Sequence, residues 1–286
     1  MRKIGFVGTG VMGKSMAINL IEAGYDVYIY TRTKDKASSL LKRGAIWKES
    51  VATLATEVDV IITIVGYPSD VEEIYFGENG IIKNAKTGSY LIDMTTSSPK
   101  LAEKIAVLAS QRGITALDAP VSGGDIGAKN GSLAIMVGGD SNGFNTVLPI
   151  LEVMGENIIH QGPAGAGQHT KMCNQITIAS NMVGVCEAIT YAKKAGLDPS
   201  RVLKSITTGA AGSWTLSNLA PRIIEGDYAP GFYVKHFIKD MKICLETAKD
   251  MEMITPGLEL SLSLYEQLAE EGEEDSGTQA LIKLFQ

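Results

Sequence analysis

The chain has 286 residues, too many for a comfortable single core and well suited to two domains. Its apolar share of 45% and charged share of 20% are those of an ordinary globular protein. The net charge of −6 leaves no general basic footprint for nucleic acid, and no run of 18 apolar residues offers a membrane span.

Residues 3–7, Lys-Ile-Gly-Phe-Val, read as a short buried strand. A strand so near the N-terminus leaves no room for a signal peptide. Cys173, Cys186 and Cys244 form no disulfide framework, so a cytoplasmic protein is expected. Gly8-Thr9-Gly10-Val11-Met12-Gly13 follows at once. An amphipathic helix then runs from about Gly13 to Ala23, and Gly24-Tyr25-Asp26 turns into a second strand, 27–30. A lone GxGxxG is weak, but strand–GxGxxG–helix–strand within 30 residues is a strong dinucleotide signal. Gly8 permits the tight turn, Gly10 lets the backbone approach a pyrophosphate, and Gly13 lets the helix pack on the strand. Amides at the helix start bind phosphate oxygens, which puts Thr9, Val11 and Met12 in the same cofactor-binding set.

The end of the second strand bears on which cofactor is used. An NAD enzyme usually carries Asp or Glu there for the ribose hydroxyls, whereas Tyr30-Thr31-Arg32-Thr33-Lys34 has no acid until Asp35. Arg32 can stack on adenine and pair with a 2′-phosphate, with Thr31, Thr33 or Lys34 adding contacts. NADP is favoured. NAD stays open, the stretch then being a solvated basic loop.

The alternation continues with a buried strand at 59–65 ending in Gly66-Tyr67-Pro68. Another at 90–94 ends in Thr95-Thr96-Ser97-Ser98-Pro99, where Ser97 or Ser98 can cap a helix beginning at Pro99. Ligands bind outside such strand ends, so Val65, Gly66 and Thr96 are expected near the cofactor. Strands at 115–119, 133–137 and 157–161 complete a doubly wound sheet that ends near residue 162.

From Gln168 to about Ala195 the pattern is helical. About 28 residues at ~1.5 Å each make a rod of roughly 40 Å, which commonly bridges two domains. Helical patterns follow at 199–207, 215–224, 238–251, 256–270 and 276–284, with no convincing strand. The fold class is therefore α/β: a Rossmann-type doubly wound domain over 1–162, then an all-α domain over 163–286 with a long interdomain helix. The acid-rich stretch 266–275 reads as a solvated turn. His160, His169 and His236 show no metal-ligand spacing, so no metal is expected.

The segment Gly165-Ala166-Gly167-Gln168-His169-Thr170-Lys171-Met172-Cys173-Asn174 puts a lysine and an amide in the first turns of that long helix. Lys171 and Asn174 are three apart and share a face. An ammonium there feels the positive end of the macrodipole, which eases proton release and suits an acid/base lysine. A solvated lysine at a helix start is the plainer alternative.

Residues 5–20, Gly-Phe-Val-Gly-Thr-Gly-Val-Met-Gly-Lys-Ser-Met-Ala-Ile-Asn-Leu, resemble the N-terminal signature of the β-hydroxyacid dehydrogenases. That family includes 3-hydroxyisobutyrate dehydrogenase, tartronate semialdehyde reductase and glyoxylate/succinic semialdehyde reductases. Asp118-Ala119-Pro120-Val121-Ser122-Gly123-Gly124 looks like its substrate-binding motif, and Gly165-x-Gly167-x-x-x-Lys171-x-x-Asn174 is similar to its catalytic motif. Lys239-Asp240-Met241-Lys242 resembles its cofactor-side motif, usually Lys-Asp-Leu.

The resemblance implies a nicotinamide-dependent oxidoreductase that interconverts a small anionic β-hydroxy acid and its semialdehyde. Lys171 is then general acid in reduction and base in oxidation, and Asn174 orients the reacting oxygen. Ser122, Gly123 and Gly124 present a hydroxyl and backbone amides to the substrate carboxylate from across a domain cleft. Lys239 closes over the nicotinamide side. Gln175 joins the substrate set, although many relatives have Asn there. Trp214, in the distinctive segment Gly209–Trp214, either walls the pocket or anchors the helical domain. An imine reductase on a similar architecture usually lacks this lysine. A non-catalytic sensor or scaffold usually loses the lysine or adds a recognition domain. The apolar helical half suggests a homodimer or homotetramer.

Overall fold

Strands buried on both faces need helices above and below them, and this requirement organises the first half of the molecule. Ile4, Phe6, Val60, Ile61, Ile62, Leu91 and Ile92 are all fully buried. In the structure, a computed structural model describing residues 1–285, the chain divides into two compact units, Met1–Lys171 and Met172–Gln286.

The first unit carries a nine-stranded sheet. Its strands are β1 (Lys3–Val7), β2 (Asp26–Tyr30), β3 (Ile46–Trp47), β4 (Val60–Thr63), β5 (Tyr90–Asp93), β6 (Thr115–Asp118), β7 (Val121–Ser122), β8 (Leu133–Gly139) and β9 (Gly155–Gly162). The order is β3-β2-β1-β4-β5-β6-β8-β7, with β9 also on β8. Pairing is parallel from β3 through β6; β8 runs antiparallel to β6 and β7 and parallel to β9. The chain reverses its winding at β1, between β2 and β4, and ligands of such sheets bind at that switch point.

The helices of this unit are α1 (Val11–Glu22), α2 (Ser38–Leu41), α3 (Val51–Ala55), α4 (Pro68–Phe76), α5 (Ile81–Asn84), α6 (Pro99–Ser110), α7 (Gly124–Asn130) and α8 (Ser141–Leu151). α3 and α8 are capped by Ser50 and Asp140, whose side chains accept the Thr53 and Gly143 amides. The cap expected of Ser97 or Ser98 at α6 is not made: Ser98 occupies the N-cap position without a side-chain bond. The Ser97 amide instead donates to the Gln168 side chain. The two-residue strand β7 was not anticipated, being too short to show a period.

The 29-residue helix α9 (Ala166–Lys194) begins in the first unit and continues into the second. The second unit adds α10 (Pro199–Ile206), α11 (Trp214–Asn218), α12 (Ala220–Glu225), α13 (Val234–Asp250) and α14 (Pro256–Leu268), then a 3-10 turn series over Thr278–Phe285. The single helix expected over 215–224 is broken at Leu219, because Pro221 has no N–H to continue the ladder. α13 starts four residues earlier than its apolar pattern suggested, and the tail is 3-10 rather than α. Phe237, Tyr265, Leu268 and Met241 are fully buried at the centre of this unit. Several of the acids in 266–275 are paired: Lys242 with Glu266 at 2.7 Å, Lys283 with Glu273 at 2.5 Å, and Lys235 with Asp275.

Candidate active site

Two of the three glycines of the first turn are demanded by a close neighbour. Gly8 has φ +100°, and a Cβ there would lie 2.1 Å from the Ile64 carbonyl oxygen. A Cβ on Gly13 would meet the Gly8 carbonyl oxygen at 2.1 Å, so this residue lets α1 start against β1. Gly10 differs: a Cβ there would meet nothing within 4 Å. Protein packing does not require glycine at this position, which leaves open backbone at the N-terminus of a twelve-residue helix. Beside it the Thr9 hydroxyl is buried without a hydrogen-bond partner among the described residues. An open cradle, an unpaired hydroxyl and free helix-start amides fit a dinucleotide pyrophosphate. Val11 is half-exposed at this turn, and Met12 is partly buried.

At the end of β2, Thr31 is partly buried and Arg32 and Thr33 are exposed. The Arg32 guanidinium lies 3.3 Å from Asp70, whose other carboxylate oxygen accepts the Tyr67 amide at 3.0 Å. One acid at the start of α4 thus holds both Arg32 and the loop after β4, a contact the basic loop gave no hint of. Val65 and Gly66 occupy that loop, and the Val65 amide donates to the Thr95 hydroxyl at 3.0 Å. Thr96, partly buried, follows in the loop after β5.

A buried acid supports these loops from below. Asp93 accepts from the Thr63 hydroxyl at 2.8 Å and the Thr95 amide at 3.1 Å, while Thr63 and the Tyr75 hydroxyl are 3.0 Å apart. Burial pushes the Asp93 carboxyl up to about 6, against the lowering effect of those bonds. Raised above its ordinary value of 3.8, this group favours the folded state below pH 4, and that contribution is lost as pH rises through 6. The change amounts to about 3 kcal/mol at ~1.4 kcal/mol per pKa unit. Asp93→Asn is therefore expected to flatten part of the stability–pH curve between pH 4 and 7, read from urea midpoints of both proteins. A difference between the two that does not vary with pH would rule out a raised Asp93.

Lys171 is the last residue of the compact unit that also holds the turn Ser122–Gly124, and α9 is anchored to the sheet over its first turns. The anchor is Asp118, at the end of β6. Its carboxylate oxygens accept the Gly165 and Gln168 amides, both at 2.8 Å, and so cap a helix that has no capping residue of its own. Burial raises the Asp118 pKa despite these amides. Gly138 and Gly167 make room: a Cβ on either would come within 3 Å of the Asp118 carboxylate. Lys171, buried with 6% of its surface exposed, donates from Nζ to the Val121 carbonyl oxygen at 2.8 Å. Ser122 pairs with Ala134 on β8, and Gly123 and Gly124 follow with φ of +132° and +63°. That conformation is accessible at low cost only to glycine, and neither residue places a side chain of its own beside its amide.

The second unit holds the remaining expected site residues as one chain of contacts. Asn174 Nδ2 donates to the Gln175 Oε1 at 2.7 Å, and Gln175 Nε2 donates to the Asp240 carboxylate at 2.6 Å. Lys239 Nζ lies 2.8 Å from the other Asp240 oxygen. Trp214 begins α11 and is largely exposed. The buried acids Asp93 and Asp118 were missed as individual actors. Their signal was an acid closing an otherwise apolar strand, Tyr-Leu-Ile-Asp and Thr-Ala-Leu-Asp.

Two family profiles match the chain: the NAD binding domain of 6-phosphogluconate dehydrogenase over residues 3–162, and the NAD-binding domain of NADP-dependent 3-hydroxyisobutyrate dehydrogenase over residues 165–285. A 2-hydroxy-3-oxopropionate reductase of Escherichia coli is 38% identical over 284 residues, covering 99% of this chain and 97% of that protein. The chain belongs to the β-hydroxyacid dehydrogenase family. An uncharacterised oxidoreductase of Bacillus subtilis is 65% identical over 284 residues, 99% of each chain. A solved 3-hydroxyisobutyrate dehydrogenase of Mycobacterium tuberculosis, described with L-serine, superposes with a TM-score of 0.92 at 30% identity, covering 100% of this chain and 99% of that one. The protein is an NAD(P)-dependent oxidoreductase of the 3-hydroxyisobutyrate dehydrogenase type. Among the described residues no helix is long and apolar enough to cross a membrane.

Proposed function

We propose that the protein interconverts a three- or four-carbon β-hydroxy acid and its semialdehyde, with Lys171 as general acid in reduction and base in oxidation. The observation that carries this reading is the buried Lys171 ammonium fixed 2.8 Å from the Val121 carbonyl, one residue before the glycine turn. That contact aims the side chain, and an ammonium carries three donors with which to meet an oxygen. Reduction puts negative charge on that oxygen, and a positioned ammonium both stabilises and protonates it. Ser122 and the Gly123 and Gly124 amides take the substrate carboxylate, and Asn174, backed by Gln175, orients the reacting oxygen. The residues from Gly8 to Gly13, with Thr31, Arg32, Thr33, Val65, Gly66, Thr96 and Lys239, hold the cofactor. When bound, that cofactor supplies or accepts the hydride. Three scattered cysteines that form no disulfide among the described residues suit the reducing cytoplasm. Exposed Tyr191, Leu197, Ile254 and Leu260 on the helical unit suit a homodimer or homotetramer. Turnover in a screen of 3-hydroxyisobutyrate, 3-hydroxypropionate, glycerate and 4-hydroxybutyrate with NAD and NADP tests the reading; tight cofactor binding without turnover of any would end it.

NADP is the cofactor this reading favours, through Arg32. The Arg32 side chain is 77% exposed beside the partly buried Asp70, so much of its guanidinium is accessible to a 2′-phosphate. Arg32→Ala is expected to weaken NADP by roughly ten- to a hundredfold, the range for a charge-assisted contact of about 1.5–3 kcal/mol, with little effect on NAD. Equal losses in fluorescence titrations with both cofactors would leave Arg32 only an adenine-stacking role.

A further inference from the structure

Gln168 is fully buried, one turn before Lys171, and its side chain points away from the helix onto the loop after β5. Nε2 donates to the Thr95 carbonyl oxygen at 2.7 Å, and Oε1 accepts the Ser97 amide at 3.0 Å. The primary amide mimics a strand neighbour, offering one donor and one acceptor to alternate backbone groups of an irregular segment. Only one orientation of the amide satisfies both groups. The Gln168 backbone amide meanwhile donates to Asp118. The Thr95 hydroxyl accepts the Val65 amide, so the loop after β4 joins the same network. The contacts run without a gap from Val65 through Thr95 to Gln168, and along one helical turn to Lys171 at Val121.

We infer that Gln168 is a positioning residue that sets the spacing between the cofactor loops after β4 and β5 and the Lys171 ammonium. This rests on Lys171 being the acid/base. A glutamine is needed, since a hydrophobe would strand the Thr95 carbonyl and the Ser97 amide in the interior. A shorter amide would pull the loop toward the helix. A shift of about 1 Å in such a register is sufficient to lower the chemical step a hundredfold without touching the reacting groups.

The test compares Gln168→Leu and Gln168→Glu with the wild-type holoenzyme, using 3-hydroxyisobutyrate or the best substrate from the screen. For Gln168→Leu, kcat is expected to fall about 10–100-fold while KM and the cofactor Kd move less than about threefold. Hydrogen exchange of the cofactor-free protein is expected to show faster exchange at Ser97 with the core of β5 unchanged. Gln168→Glu supplies a readout that a purely structural role would not move. A protonated carboxyl reproduces both bonds, with its hydroxyl on the Thr95 carbonyl and its carbonyl on the Ser97 amide. The carboxylate instead repels Thr95, and burial favours the neutral form. The ratio of Gln168→Glu to wild-type kcat should therefore rise as pH falls, and this variant covers the case in which Gln168→Leu does not fold. A Gln168→Leu enzyme with wild-type kcat, or a Gln168→Glu ratio that does not depend on pH, overturns the inference. Lys171→Ala, assayed in parallel, separates the two claims: if it turns over normally, the acid/base reading itself has failed.

Discussion

Lys171→Ala is expected to lose about 10²–10⁴-fold in kcat/KM while cofactor affinity stays within a few-fold of wild type. At ~1.4 kcal/mol per decade this is roughly 3–5 kcal/mol of transition-state stabilisation. Two contributions combine: the proton no longer arrives on the developing alkoxide, and its charge is no longer met by a fixed ammonium. The ammonium is held by a carbonyl on β7 and by a helix whose N-terminus is capped from β6, so little reorganises during the reaction. Lys171→Arg should not rescue the rate, because a guanidinium stays protonated throughout and has a different reach. The Val121 carbonyl faces water or an empty space in the alanine variant, a modest structural cost. A Tm close to wild type with a large loss of rate is thus the expected pair of results. Near-normal turnover would remove Lys171 from the chemistry.

Replacing the substrate's carboxylate with an uncharged group of similar size is expected to lower kcat/KM by about 2–4 kcal/mol, roughly 30- to 1000-fold. The Gly123 and Gly124 amides and the Ser122 hydroxyl lie at a turn whose backbone conformation excludes other residues. An anion accepts from all of them, whereas a neutral group leaves at least one donor desolvated and unmatched. The asymmetry is large because an unpaired buried donor costs more than a paired one gains. Gly123→Ala extends the test. Its φ of +132° strains an alanine, and the new Cβ lies 3.2 Å from Leu133 Cδ2. That variant should bind the acid substrate poorly and erase most of the difference between charged and neutral substrates. Uncharged aldehydes that react as well as the acids would mean that the turn does not recognise the substrate's anionic end.

The features of the molecule legible in the sequence are those with a local pattern. Gly8, Gly10 and Gly13 stand within six residues where a strand passes into a helix, and that spacing marks the turn although the atom excluding a Cβ at Gly8 belongs to Ile64. Lys171 and Asn174 are related by helix geometry alone. The parts that were not legible depend on partners far along the chain. Asp118 caps α9 across 47 to 50 residues, and Gln168 braces the β5 loop across 71 to 73. No periodicity encodes such pairs; the available sign was a buried-type acid or amide in an apolar setting. The Ser97–Ser98 signal for a helix cap was local, yet neither hydroxyl caps α6, and the Ser97 amide goes to the distant Gln168. The break at Leu219 was within reach, because Pro221 stood inside the expected helix.

The role of Lys171 is tested most directly by following kcat/KM against pH in both directions with wild-type enzyme. A general acid must carry its proton for reduction and must lack it for oxidation. The rate of semialdehyde reduction should therefore fall as pH rises, and the rate of hydroxy-acid oxidation should rise through the same apparent pKa. Both limbs should be absent from the residual activity of Lys171→Ala. Limbs that run in the same direction, or that persist unchanged in Lys171→Ala, would contradict the assignment of Lys171 as the group that gives and takes the proton.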